Sequence, residues 1–121
     1  MKIAIGNDLV YLPEFKRSLT PGFRKRVFTR AEIKQIEEYT ALPLIRYATT
    51  WAAKEAVFKA LKQLFKAPLG LNWNDIEILR NGKAPSVKIK KTRFRAIRFS
   101  LSLSHEKDYA SAVVFASLAQ K

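Results

Sequence analysis

The sequence predicts an α+β fold in which an antiparallel sheet packs against one long helix. Three observations carry this. Apolar side chains recur at helical spacing between residues 53 and 64, they alternate with polar ones between residues 97 and 104, and Asn81-Gly82 separates two short runs as a hairpin turn would. Helices first and antiparallel strands later mark α+β rather than α/β.

In chain order, Ile3 to Ile5 reads as a short strand that ends at Gly6, and Pro13 can start a short helix through about Leu19. Thr29-Arg30-Ala31-Glu32 has the spacing of a capping box, so a helix is expected from about Arg30 to about Tyr39. Pro43 can open a long helix to about Phe65, with Ala53, Ala56, Val57, Ala60, Leu61 and Leu64 on one apolar stripe. On that reading Trp51, Glu55, Lys59 and Lys62 share the opposite face, and Glu55 can touch Lys59 one turn on. Asp75–Arg80 and Ser86–Lys90 form the hairpin. Ile97, Phe99, Leu101 and Leu103 give the next strand one apolar face, and Tyr109–Leu118 is apolar enough to be a buried strand.

At 121 residues the chain is expected to be a single domain, 1–121, with one modest core. Cysteine is absent, so disulfides, thiolate metal sites and thiol catalysis are excluded. No apolar run approaches the ~20 residues that span a bilayer, and the opening Met1–Ile5 is short for a signal peptide; a cytoplasmic protein with no membrane partner is expected. There are 23 basic and 10 acidic side chains, a formal net charge of +13, which favours an anionic partner. Leu79 to Ser104 contains no acid but carries Arg80, Lys83, Lys88, Lys90, Lys91, Arg93, Arg95 and Arg98. That run, with Phe94, Phe99, Tyr109 and Phe115 nearby, leaves a nucleic-acid-binding module as the competing class, although Phe99 falls on the apolar face and no nucleic-acid signature is present.

Two carboxylates, Asp8 and Glu55, a lysine, Lys59, and the only histidine, His105, stand out as chemistry-bearing residues. Singly each has an ordinary explanation: a turn aspartate, a surface ion pair, a structural histidine. Together they suit a magnesium ion holding a phosphate ester, because magnesium takes one or two carboxylates and completes its shell with phosphate oxygens and water.

Their order resembles the holo-(acyl-carrier-protein) synthase family of 4′-phosphopantetheinyl transferases. The matching pieces are Gly6-x-Asp8, Arg26-Val27-Phe28-Thr29-x-x-Glu32, Trp51-Ala52-Ala53-Lys54-Glu55-x-x-x-Lys59-Ala60, Trp73-x-Asp75-Ile76-Glu77-Ile78, Gly82-Lys83-x-Pro85 and Ser102-Leu103-Ser104-His105-x-Lys107-x-Tyr109-Ala110. The resemblance implies a phosphopantetheinyl transferase-like fold, a homotrimer with sites between neighbours, and a transfer reaction. In that reaction the serine of an apo acyl carrier protein attacks the β-phosphorus of coenzyme A, and 3′,5′-ADP leaves. It further implies that Asp8 and Glu55 hold the metal, that Lys59 reaches the diphosphate, and that Glu55 or a water on the metal takes the serine proton. Ser104 and His105 would meet the 3′-phosphate, and Lys83 with Pro85 would lie against the adenine. An acidic carrier protein would dock on Lys16, Arg17, Arg24, Lys25 and Arg26, because Glu14 stands where the family carries an arginine. Coenzyme A and the carrier, not nucleic acid, are then the expected partners, although a degenerate coenzyme A-binding protein without turnover has the same motifs. The chain departs from the family pattern at Asn7, Tyr11, Thr50, Glu106 and in the extra residue of Lys83-Ala84-Pro85. Thr50 replaces an arginine that commonly helps bind a coenzyme A phosphate, and these changes point to a divergent member.

Overall fold

Lys2–Tyr11 forms the first strand, β1, and leads straight into two short helices, α1 (Leu12–Ser18) and α2 (Pro21–Val27). Helices α3 (Arg30–Tyr39) and α4 (Pro43–Leu64) follow, then strands β2 (Ile76–Asn81), β3 (Ala84–Ile89), β4 (Arg98–Glu106) and β5 (Tyr109–Leu118). The structure is a computed structural model and describes residues 1–39, 41–82 and 84–119. Strands β1, β5 and β4 make one antiparallel sheet with β5 in the centre, and β2 and β3 make a separate hairpin. This is the predicted α+β architecture, with α4 packed on the three-stranded sheet.

Several elements end where the sequence places them. Helix α3 spans the expected residues, and its capping box is present in full: the Glu32 backbone N–H donates to Thr29 Oγ1 at 3.1 Å, and the Thr29 N–H donates to Glu32 Oε1 at 2.8 Å. The β2–β3 turn uses Gly82 at φ +81°, the left-handed region a tight hairpin requires.

Three expectations change. The first strand does not stop at Gly6 but continues to Tyr11, because the glycine marks a close approach of α4 rather than a turn. Strand β5 is buried on one face only: Ala110, Ala112, Val114 and Ala116 are enclosed while Tyr109, Val113 and Phe115 are exposed. Helix α2 is an addition. Thr20 caps it by accepting from the Phe23 N–H at 3.1 Å, and Pro21 takes the first helical position; seven residues are too few to show a period.

Helix α4 is also less two-faced than its stripe suggests. The stripe residues Ala53, Ala56, Val57, Ala60, Leu61 and Leu64 are buried as expected, but so are Thr49, Thr50, Ala52 and Lys54. Lys59 and Lys62 are exposed, whereas Trp51 and Glu55 are half-buried. Trp51 meets Phe23 and Trp73 edge-on at ring distances of 5.3 and 4.8 Å.

Lys54 has no exposed side-chain surface and pairs with an equally buried Glu32 at 2.8 Å. Its ammonium also donates to the carbonyls of Trp73, at 3.0 Å, and Ile76. The second Glu32 oxygen accepts from the Ile78 N–H at 2.7 Å. One ion pair thus joins α3, α4 and the start of β2. Burial pushes the Lys54 pKa down, and Glu32 opposes that shift. A buried pair with both carboxylate oxygens hydrogen-bonded is tolerated, but losing one partner strands a charge. Glu32→Ala is therefore expected to lower unfolding free energy by about 3–5 kcal/mol, measured by urea titration. A loss below about 1 kcal/mol would show that the pair is not needed to hold these elements together.

Candidate active site

The even-numbered residues of β1 turn toward α4, because successive side chains in a strand point to opposite faces. Ala4 and Val10 enter the core on that face, and Asp8 lies between them in register with Ala112. Gly6 permits the contact: a Cβ there would lie 1.9 Å from the Ala56 carbonyl oxygen and 3.1 Å from the Ala60 nitrogen. The backbone of β1 therefore rests on the small-residue side of α4.

At this distance the Asp8 carboxylate meets the helix. Lys59 Nζ donates to Asp8 Oδ1 at 3.1 Å and to the Asn7 carbonyl at 3.0 Å. The ion pair that spacing suggested between Glu55 and Lys59 is formed with Asp8 instead, because β1 brings Asp8 closer to the ammonium. Glu55, one turn before Lys59, sets its carboxyl against Asp8. Burial, then the hydrogen bond with Asp8 and its charge, raise the Glu55 pKa to about 8, with Lys59 opposing. Asp8 Oδ2 is buried and receives no hydrogen bond, and the Asp8 side chain is only 10% exposed.

Two crowded carboxylates, one of them paired with an ammonium through one oxygen and left with a buried, unpartnered second oxygen, fit a hard divalent cation. Among the described residues no cluster of three or more acids, histidines or cysteines exists, so most of such an ion's shell would remain open to water or phosphate oxygens. A cleft of about 310 Å³ opens beside Glu55, walled by Val10, Tyr11, Phe15 and Trp51.

The other candidate residues lie apart. His105 pairs with Ala110, which pairs with Val10, so two strand spacings, roughly 10 Å, separate it from β1. Alternation sends Ser104 to the opposite face from His105, and Ser104 Oγ bonds Ser111 Oγ at 2.7 Å. Pro85 stands across from Arg80 in the hairpin, and Lys83 lies outside the described residues. Of the cations assigned to docking, Lys16, Arg17, Lys25 and Arg26 are exposed. Arg24 is not free in the same way: its guanidinium stacks on Tyr47, 5.2 Å from the ring centre, and its Nε is buried. Sequence reasoning missed the Glu32–Lys54 pair. The capping box signalled Glu32, but nothing local signals a partner 22 residues away.

The close approach at Gly6 can be tested by itself. Gly6→Ala should cost about 1–3 kcal/mol, because backbone must move, whereas Gly22→Ala, with nothing within 4 Å of its new methyl, should be neutral or slightly stabilising in its helix. Equal effects in chemical unfolding would contradict the packing described.

Comparison with known proteins agrees with this geometry. The profile of the 4′-phosphopantetheinyl transferase superfamily matches residues 4–114. The holo-[acyl-carrier-protein] synthase of Pseudarthrobacter chlorophenolicus is 38% identical over 124 residues, covering 96% of this chain and 98% of its own. That of Chlamydia caviae is 32% identical over 117 residues, covering 90% and 92%. Among solved structures, the ACPS-CoA complex of Chronobacterium ammoniagenes superposes with a TM-score of 0.84 at 26% identity, covering 99% of this chain and all of that one. The chain belongs to the 4′-phosphopantetheinyl transferase superfamily.

Proposed function

We propose that this protein is a holo-(acyl-carrier-protein) synthase, which moves the 4′-phosphopantetheine arm of coenzyme A to a serine of an apo acyl carrier protein. The observation that carries this reading is the Asp8–Glu55 carboxylate pair beside Lys59, in a chain of this superfamily. All of 1–121 acts as one transferase domain, and its place of action is the cytoplasm; no helix among the described residues is long and apolar enough to cross a membrane.

Asp8 and Glu55 would hold a magnesium ion, which would neutralise charge on the diphosphate as it breaks. Lys59, half exposed at the mouth of the site, orients the same diphosphate by a charge-assisted hydrogen bond. The bond formed joins the serine oxygen to the β-phosphorus. The bond broken is that phosphorus to the bridging oxygen, and 3′,5′-ADP departs with the electron pair. Glu55, or a water on the metal, would accept the serine proton. Pro85 and His105 serve the nucleotide end, His105 by donating to a phosphate oxygen.

Incubation with coenzyme A, magnesium and an apo carrier should add one phosphopantetheine to the carrier by mass. Asp8→Ala and Glu55→Ala should abolish the addition while unfolding normally. Near-normal magnesium-dependent activity in either variant would remove that residue from the metal pair.

The open face of the β1–β5–β4 sheet supports a trimer. Ile3, Ile5 and Leu9 of β1 and Val113 and Phe115 of β5 lie on it, 42–65% exposed, and apolar patches of that kind are covered in most soluble proteins. Subunits packed through this face would set Asp8 and Glu55 of one copy near His105 of the next. Light scattering at micromolar concentration should then give three times the chain mass, and a monomer would refute the assembly.

Docking of the acidic carrier rests on charge. Lys16 and Arg17 end α1 and Lys25 and Arg26 end α2, and cations of this kind raise association rate more than affinity. Reversing Arg17 and Lys25 to Glu should raise KM for the carrier and flatten its salt dependence, with KM for coenzyme A unmoved. An unchanged carrier KM would show that these residues serve solubility alone.

A further inference from the structure

Glu55 and Lys59 are the first two members of a row on α4 whose third member is Gln63, each four residues after the last. The row follows β1 backward. Glu55 meets Asp8, Lys59 donates to Asp8 Oδ1 at 3.1 Å and to the Asn7 carbonyl at 3.0 Å, and Gln63 Nε2 donates to the Ile5 carbonyl at 2.8 Å. The two repeats match, since four helical residues rise about 6 Å and two strand residues advance about 6.6 Å. Strand β1 lies at the edge of its sheet, with β5 on one side only, so the carbonyls of alternate residues face away from the ladder. Ile5 and Asn7 are two such residues, and α4 supplies the donors that the sheet does not.

Gly6 makes this contact close but not firm. It lies against the Ala56 carbonyl and the Ala60 nitrogen, and a glycine on alanines is smooth, with no side chain interlocked against sliding along the strand. The donors of the row are what hold β1 lengthwise at this point. Lys59 is a brace with a second duty: on the transferase reading its ammonium turns to the diphosphate, and a charged acceptor draws it more strongly than a backbone carbonyl does. Gln63 is uncharged and exposed, and the Ile5 carbonyl is its hydrogen-bond partner among the described residues. Its hold on β1 therefore persists when that of Lys59 is released.

We propose that Gln63 is a positioning residue for the metal pair: it tethers β1 to α4 so that Asp8 stays against Glu55 when Lys59 moves to the diphosphate. This rests on the transferase reading. A site of this kind must be held to within about 0.5 Å of its working geometry, and the tether grips the same strand three residues before Asp8. Gln63 acts through the backbone of β1 and not on the ion or the substrate. Removing its donor should therefore loosen the ion and leave the nucleotide end of the site as it was.

Mn2+ titrated in the presence of coenzyme A and followed by electron paramagnetic resonance reads the tether, in wild type, Gln63→Met, Gln63→Ala and Gln63→Lys. Losing one hydrogen bond should weaken Mn2+ binding roughly three- to tenfold in Gln63→Met and Gln63→Ala. Gln63→Lys keeps a donor of the kind that Lys59 uses one turn earlier. Its added charge stands roughly 12 Å along the helix from Glu55 and is screened over a Debye length of about 8 Å, so this variant should stay within about twofold of wild type. By calorimetry 3′,5′-ADP, which carries no diphosphate, should bind equally to wild type and variants. The proposal is overturned if Gln63→Met and Gln63→Ala hold Mn2+ within about twofold of wild type, or if Gln63→Lys loses as much as they do. It is also overturned if 3′,5′-ADP binding falls in step with Mn2+ binding, which would make Gln63 a structural residue only. Should one truncation fail to fold, the other decides. Wild type that binds Mn2+ but transfers nothing to an apo carrier would remove the transferase reading and leave this criterion in force; wild type that binds no Mn2+ would overturn the metal pair and the tether together.

Discussion

The site depends on how closely one strand can lie against one helix. Gly6 lets β1 rest on Ala56 and Ala60 of α4 with no side chain between them. Two residues later, strand alternation returns a side chain to the same face, and that side chain is Asp8. Glu55 and Lys59 straddle the contact on the helix, one turn apart. A larger residue at position 6 would separate the carboxylates, so a single missing methyl controls the geometry of the charged cluster. The flanking alanines serve the same end, since Ala52, Ala53, Ala56 and Ala60 are all fully enclosed.

Two acid–lysine pairs lie within a few residues of each other on α4, and their surroundings give them different work. Lys54 and Glu32 have no exposed side-chain surface, and their hydrogen bonds all go to each other or to backbone. Such a pair has nothing left over for a ligand and acts as a joint between α3, α4 and β2. Lys59 is 53% exposed, Asp8 keeps a buried oxygen without a donor, and Glu55 is held near a proton by its neighbour. Unfulfilled electrostatics of this kind are poor for stability and suited to binding charge. The sheet's uncovered apolar face shows the same separation between a satisfied core and an unsatisfied periphery.

Much of this was legible from residues alone, because the strongest signals are local. The Thr29–Glu32 capping box and Pro43 placed the starts of α3 and α4, Asn81-Gly82 placed the hairpin, and the alternation of Ile97 to Ser104 placed β4. What failed was local evidence with two meanings. Gly6 reads as a strand end as easily as a helix contact, and an apolar run such as Tyr109–Leu118 does not reveal that its small residues face in and its large ones face out. Partnerships across long stretches of chain, Lys54 with Glu32 and Lys59 with Asp8, leave no mark in spacing. The candidate site residues were chosen by the joint order of short motifs rather than by any one of them, and that order also gave the family. The strand parity that divides Ser104 from His105 was available in the alternation but is easily overridden by reading a motif as one unit.

The central claim is that Asp8 and Glu55 form a divalent-cation site created by the β1–α4 contact. Electron paramagnetic resonance of Mn2+ titrated into the protein with coenzyme A present tests it most directly, because it reads the ion and not the reaction. The account predicts a single tight Mn2+ per chain, displaced by Mg2+, and weakened strongly by Asp8→Asn and by Glu55→Gln. Mn2+ binding that is unchanged in both variants would contradict it.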